Sequence, residues 1–533
     1  MTAPPANPSI IDSAINRVAT MALYAVIAAV AAPCLVIALP TALIIEKRST
    51  RQWPLVLAGA ALTASAGVFV GPTGLLRGSF ALLSCLRGGH RPSAATLFGY
   101  LPGVVGTGLL LAPALPRWYR ELILPEHERG RHRAEQQRRR AEHEAARIVS
   151  PLPPDRTVLG VALGDGHTEW TIRHRGHPLV APPLELWGRH ALVIGETGSG
   201  KTVTSLTIAA EALRLGHHVY WIDGKADPDT AEAFLSHATH AGVAARNGLL
   251  DPIDGWRGGA DAVINRLLAT QHFSEPYYEG VTRAILQESI DDSTRSMTDL
   301  VRRLAEPIVR KSRPSIARDL PARERLGVRA RYEGIAWAVG NHLDGTWSYE
   351  DTPAAYLPVG RPENRNQAAE VGAFILEDLL HWALARKPRE QHALVIVDEF
   401  SRLSDRPDAA VDLIERARSN HVGVILIAQS WDSLGPNRTT RNRLAATVGT
   451  IICHQTKQPE PIAALAGTRA AIEQTRQTRD GHATGFGSQR IGNRFTVHPD
   501  DLRRLRPGEA HLIGSGTATA LRVRRPGGPP RRR

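Results

Sequence analysis

The sequence predicts an α/β protein: a mainly parallel sheet carrying a helical insertion, preceded by apolar segments long enough to cross a bilayer. Three observations carry this. From about residue 151 onward, short β-branched runs alternate with helical patterns, as expected of a parallel sheet flanked by helices. A glycine-rich loop, Gly195 to Thr202, stands between one such run and an amphipathic stretch. Ahead of both, Ala19 to Ile45 and Trp53 to Leu76 are apolar over lengths that reach the roughly 20 residues of a membrane helix.

At 533 residues the chain has room for two or three domains. Its net charge of +13 points to a polyanion or to the negative face of a membrane. Only six lysines are present, so nearly all the positive charge is arginine. Phosphate binding or a GC-rich genome would each produce that bias. Cys34, Cys85 and Cys453 have neither metal nor disulfide spacing, which excludes a disulfide scaffold and reads as inert thiols in a reducing compartment.

Residues 1–116 read as a membrane anchor of two or three transmembrane helices. The third candidate, Ala95 to Leu115, is interrupted by glycines and prolines. The first is too long for a secretory signal core. Placing the basic loop Glu46 to Arg51 and the basic run after Pro116 on the cytoplasmic side requires three crossings, with the N-terminus outside. Two crossings, with the third stretch in the interface, is the alternative. Residues 117–150 carry charges of both signs at helical spacing and read as a solvated juxtamembrane helix or linker. The first part of the core follows over 151–259. A mainly helical insertion is expected over 260–390, the second part of the core over 391–520, and a basic tail over 521–533. Four runs read as core strands: His190 to Gly195, His217 to Asp223, His392 to Phe400 and Val422 to Ser430.

Gly195, Glu196, Thr197, Gly198, Ser199, Gly200, Lys201 and Thr202 match the P-loop pattern. Its glycines let backbone amides wrap phosphates, and the following helix offers its positive end. Lys201 would reach the β- and γ-phosphates of ATP, and the Thr202 hydroxyl would ligate Mg²⁺. Leu394 to Phe400 then supplies four apolar residues followed by Asp398 and Glu399. Asp398 is expected to hold the metal's hydration shell and Glu399 to deprotonate the attacking water. Gln429 ends the next strand and could sense the γ-phosphate, position the water, or only cap the strand. Asp223 and Lys225, in "WIDGKADP", stand equally as an ordinary turn or as a group near the nucleotide or a pore.

This order of strands and motifs is that of RecA-like motors, which act as rings with an arginine supplied by the neighbouring subunit. Arg416 and Arg418 are candidates for that arginine, with Arg438, Arg441 and Arg443 behind them. "GETGSGKT", "WIDGKADP", "LVIVDEF", "SNHVGVILIAQSWDSL" and "RRLRPGEAHLIGSG" together resemble the FtsK/TraG-type DNA-pumping ATPases over about residues 185 to 520. Within that group they look most like the coupling proteins of conjugation and type IV secretion.

The resemblance implies a RecA-like ATPase in the inner membrane, multi-pass, with its ATPase domain cytoplasmic and a homo-hexameric ring as its assembly. Its partners would be DNA, bound largely without sequence preference, together with a relaxase–DNA complex and an envelope secretion channel. No clear winged-helix module follows the core, which favours a coupling protein over an FtsK-like double-stranded DNA pump. An ATP-dependent membrane scaffold or cargo receptor, and an ATP-driven transporter, are the readings from other classes.

Overall fold

The structure, a computed structural model, describes residues 126–526 apart from 149–151, 165–167, 307–315, 360–367, 387–391, 404–406, 480–481 and 515, with 58, 60–64, 105–107 and 109 ahead of them. Apart from those few positions, the three apolar segments lie outside the described residues. No helix among the described residues is long and apolar enough to cross a membrane. The chain divides into two compact units, Met1–Glu135 and Gln136–Arg533, and apart from the first half of one helix the second holds everything that follows.

Three short strands come first: β1 (Gly160–Ala162), β2 (Thr171–His174) and β3 (His177–Val180). Seven parallel strands make the centre: β4 (Ala191–Ile194), β5 (His218–Asp223), β6 (Ala245–Asn247), β7 (Ala354–Pro358), β8 (Ala393–Asp398), β9 (Val422–Ala428) and β10 (Thr450–Cys453). Two more, β13 (Glu509–Gly514) and β14 (Thr517–Val523), follow a separate ribbon of β11 (Thr468–Arg479) and β12 (His482–Phe495). Among the described residues the main sheet has twelve strands, in the order β2-β3-β1-β14-β13-β10-β4-β9-β8-β5-β7-β6. All four runs read as core strands are found there, as β4, β5, β8 and β9.

Every residue of β8 and β9 is buried, because helices cover both faces of a parallel sheet. Successive side chains alternate between two cores. Leu192, Ile194, Val395, Val397, Val424 and Leu426 pack with α4 (Ala260–Ala269), α5 (Pro276–Ser289), α6 (Met297–Ala305), α7 (Ala322–Val339), α8 (Ala368–Ala385) and α9 (Pro407–Ala417). Val193, Leu394, Ile396, Ile425 and Ile427 pack with α2 (Lys201–Arg214) and α3 (Pro228–His240) on the other. Each such side chain contributes about 1.5–3 kcal/mol on burial. A slip of one residue would exchange the two sets and is therefore disfavoured many times over.

The structure departs from the sequence reading in four places. The helical segment 260–390 contains β7, which enters the sheet between β5 and β6. Its sequence AAYLP is too short and too lightly β-branched to announce a strand, but all five of its residues are buried. Within the second part of the core, β11 and β12 form a two-stranded sheet of their own. Their arginines, glutamines and glycines lack the apolar alternation that marks a half-buried strand.

The charged segment 117–150 is not wholly solvated either. Helix α1 (Glu126–Ala145) buries Ala141 and Ala145 against Val158, Val161 and Leu179, and Arg138 pairs with Glu509 at 3.3 Å. Finally, the basic tail begins later than expected. Residues 521–523 complete β14, and Arg524 is buried in an ion pair with Glu211. The sequence of an exposed basic tail and of a final strand ending in one paired arginine look alike.

Burial holds His190, His454 and His511 near pKa 4, against an ordinary 6.5. Between those values the unfolded chain takes up protons that the native protein refuses. Stability therefore falls as pH drops through this window, by about 1.4 kcal/mol per pH unit for each histidine. Thermal melts of the full chain should show a midpoint that is level above about pH 6.5 and falls from there to about pH 5; a flat profile across that window would contradict the buried neutral state of these rings.

Candidate active site

Strand β4 delivers the chain into the loop Gly195–Gly200, and α2 starts at Lys201. Gly198 and Gly200 have φ of 79° and 115°, a region open to glycine without steric cost. Gly195 is required by space instead. A Cβ there would lie 2.6 Å from the Cβ of His454 and 2.8 Å from Oγ of Ser199.

The loop is tied down from the neighbouring strands. Glu196 N donates to the Gln455 carbonyl at 2.8 Å, and Gly508 N donates to the Ser199 carbonyl at 2.7 Å. Behind it, fully buried His454 donates from Nδ1 to the Glu509 carbonyl at 2.9 Å. Its Nε2 therefore accepts from the Thr204 hydroxyl, at 2.8 Å, and braces the first turn of α2. Lys201 is buried, and its Nζ donates to the Glu196 carbonyl at 2.9 Å across the mouth of the loop. Burial holds this ammonium below the ordinary lysine pKa, while the carboxylates of Glu399 and Asp398 act against the shift. Thr202 is half-buried in the same turn.

Four adjacent strands, β4-β9-β8-β5, end at this site. The edge where strand C-termini meet is where ligands bind in open parallel sheets. Asp398 closes β8, buried, with Oδ1 accepting from Glu399 N at 2.8 Å. Burial, then repulsion from Asp223 across the register, pushes its carboxyl up to about 7. Glu399 is a non-glycine residue in the left-handed region, φ 52° and ψ 49°. Gln429 Nε2 donates to both of its carboxylate oxygens, at 3.0 and 2.8 Å. Lys225 Nζ pairs with Oε1 from the other side.

The structure thus brings together Gly195 to Thr202, Asp398, Glu399, Gln429 and the Asp223–Lys225 turn. It does not bring in Arg416 and Arg418. Both are exposed and precede β9, whose far end carries Gln429. A strand of that length spans about 20 Å. Arg441 pairs with Asp432, and Arg443 with Glu415 at 3.0 Å. His454, Thr204 and Gly508 were not visible in the sequence as site residues, because their partners are supplied by distant strands.

A glycine-rich loop at the start of α2 that holds a buried Ser199 hydroxyl without a hydrogen-bond partner fits a phosphate group. Thr202 and Asp398 are the oxygen ligands that Mg²⁺ prefers.

No protein-family model matches the chain, and no curated protein sequence does. Solved structures do. The unbound monoclinic form of the bacterial conjugative coupling protein TrwBdeltaN70 is 15% identical, with 72% of this chain and 97% of that chain covered, at a TM-score of 0.51. The plasmid coupling protein TrwB in complex with ADP and Mg²⁺ is 15% identical, with 72% and 98% covered, at 0.50. VirB4 of Thermoanaerobacter pseudethanolicus is 15% identical, with 71% and 98% covered, at 0.48. At these identities the TrwB likeness establishes a shared fold, and that fold is the one the sequence motifs resemble.

Gly195→Ala should force His454 and the end of β10 outward. We expect a stability loss of about 1–3 kcal/mol from overpacking, together with weakened binding of a fluorescent ATP analogue to the full chain. Unchanged melting and binding would show that the loop has room the structure denies it.

Proposed function

We propose that the chain is an ATPase anchored in the inner membrane through residues 1–116 and assembled as a homo-hexameric ring. It would use ATP hydrolysis to move DNA towards a conjugative or type IV secretion channel. One observation supports this most. A phosphate loop, an acidic strand end and a polar strand end converge on one sheet edge, in the fold of TrwB, a coupling protein described with ADP and Mg²⁺. The membrane anchor, ring, relaxase–DNA complex and channel rest on the sequence resemblance.

The chemistry follows from where the side chains stand. Lys201 would exchange the Glu196 carbonyl for β- and γ-phosphate oxygens, with the loop amides and the end of α2 completing the grip. Thr202 and Asp398 would hold Mg²⁺, which when bound neutralises charge on the phosphates. Glu399 takes the proton of the attacking water, and Gln429 fixes the plane of its carboxylate through two hydrogen bonds. Arg416 or Arg418 can serve only a neighbour's site, since neither reaches its own. DNA would be gripped through phosphates, and a strong salt dependence follows.

ATP hydrolysis by the full chain in detergent, alone and with single-stranded or duplex DNA, tests the proposal. Glu399→Gln should lower kcat by about 10²–10⁴ while ATP binding survives, and Lys201→Ala should abolish both. Stimulation by either DNA should fade as salt rises. Preference for the duplex would favour the FtsK-like pump; hydrolysis indifferent to DNA in an assembled preparation would favour the scaffold and refute the motor.

A further inference from the structure

The Asp-x-Lys turn after β5 has no part in the chemistry above, yet its construction is specific. Asp223 accepts from the amides of Lys225, at 2.7 Å, and Asp227, at 3.0 Å, and from the Tyr356 hydroxyl. Its carboxylate is thereby committed to shaping the turn. Ala226 then adopts φ of 54°. Gly224 permits a close approach to the acidic strand, since a Cβ there would lie 3.1 Å from the Cβ of Glu399 and 3.0 Å from Cγ of Arg402. What this turn delivers is the Lys225 ammonium, placed on Oε1 of Glu399.

Strand order fixes the direction of each contact. β8 lies between β9 and β5, and the phosphate loop follows β4 on the far side of β9. Gln429 therefore holds Glu399 from the nucleotide side, and Lys225 holds it from the opposite side. The Lys225 side chain is 48% exposed and that of Glu399 only 9%. Solvent, or a ligand outside the nucleotide pocket, meets Glu399 through Lys225. An arginine here would grip the carboxylate with a two-pronged fork, whereas a lysine makes a single mobile contact. In a chain with six lysines and arginine nearly everywhere else, the weaker cation stands at the one carboxylate that must be released.

We propose that Lys225 is a positioning residue that restrains Glu399 until a backbone phosphate of nucleic acid draws its ammonium away. This rests on the reading of Glu399 as the base of a DNA-driven ATPase. While paired, Oε1 accepts from both Lys225 and Gln429, so both of its lone-pair directions are taken and the carboxylate is held towards Lys225 rather than towards the attacking water. A phosphodiester oxygen competes for the same ammonium, and freeing Oε1 couples nucleic-acid contact to hydrolysis without moving the phosphate loop.

The test measures ATP hydrolysis by the full chain, with and without a mixed-sequence single-stranded oligonucleotide and a duplex, in Lys225→Met, Lys225→Arg and Lys201→Ala. Losing a half-exposed ion pair shifts a two-state population by roughly fivefold. Lys225→Met should therefore raise the rate without nucleic acid by about that factor and respond little to nucleic acid added afterwards. Lys225→Arg should restore part of the restraint and lower the ratio of stimulated to basal rate. If Lys225→Met melts early, the lowered ratio in Lys225→Arg carries the test alone. A basal rate at or below wild type in Lys225→Met, or undiminished stimulation in either variant, overturns the proposal. So does an activated Lys225→Met beside a wild type that neither nucleic acid stimulates. Hydrolysis that survives Lys201→Ala removes the ATPase reading itself; hydrolysis that needs Lys201 but ignores Lys225 removes only the restraint.

Discussion

The parallel register of β4, β9, β8 and β5 is the constraint on which the site depends. Ile194 pairs with Ala428, and Asp223 with Asp398, so the chain leaves each strand at nearly the same level. The ladder hydrogen bonds alone do not set that level, since a shifted register would form them too. It is fixed by apolar side chains alternating into two separate cores, which a register shift would exchange. The polar groups at the strand ends are costly passengers on this frame. Asp398 and Glu399 are buried beside Asp223, and Lys201 is buried opposite them. The ammonium groups of Lys201 and Lys225 offset part of that negative charge, and removing one member of a buried pair of opposite charges costs more than the pair gains.

The frame must also hold α2 steady, since its first residue is Lys201. Glu211, near the other end of that helix, is buried and accepts from Val158 N at 3.0 Å and from Arg214 at 2.9 Å, and pairs with Arg524. One carboxylate thus ties the helix to the segment before β1 and to the residue after β14. At the helix start, His454 and Gly508 do the corresponding work on the loop. The antiparallel strands outside the parallel centre therefore support the phosphate loop, although none of them carries a residue of the site's chemistry.

What was legible in the sequence is what local pattern encodes. A P-loop needs eight consecutive residues, and β8 and β9 declare themselves by unbroken apolar runs ending in Asp398–Glu399 and Gln429. The supports were illegible for a common reason. His454 meets Thr204 across 250 residues, and Arg524 meets Glu211 across 313, so neither partner leaves a mark near the other. β7 was hidden by its brevity, and the β11–β12 ribbon by its polarity. The Asp-x-Lys turn was legible as a motif and not as a mechanism. Only the adjacency of β5 and β8 reveals that its lysine meets the acidic strand.

Glu399 shows why such a contact can act as a control. Its backbone is in a conformation that non-glycine residues avoid and that persists only when surroundings over-determine it. They do: its N–H is spent on Asp398, its carbonyl accepts from Arg402 N at 2.8 Å, and fully buried Phe400 anchors the next residue. With the backbone fixed from three directions, the freedom left to this residue lies in its side chain, beyond Cβ. That side chain is held by one amide on the nucleotide side and one ammonium on the solvent side. A change at either contact is therefore expressed in the position of one carboxylate, rather than being absorbed by movement of the chain.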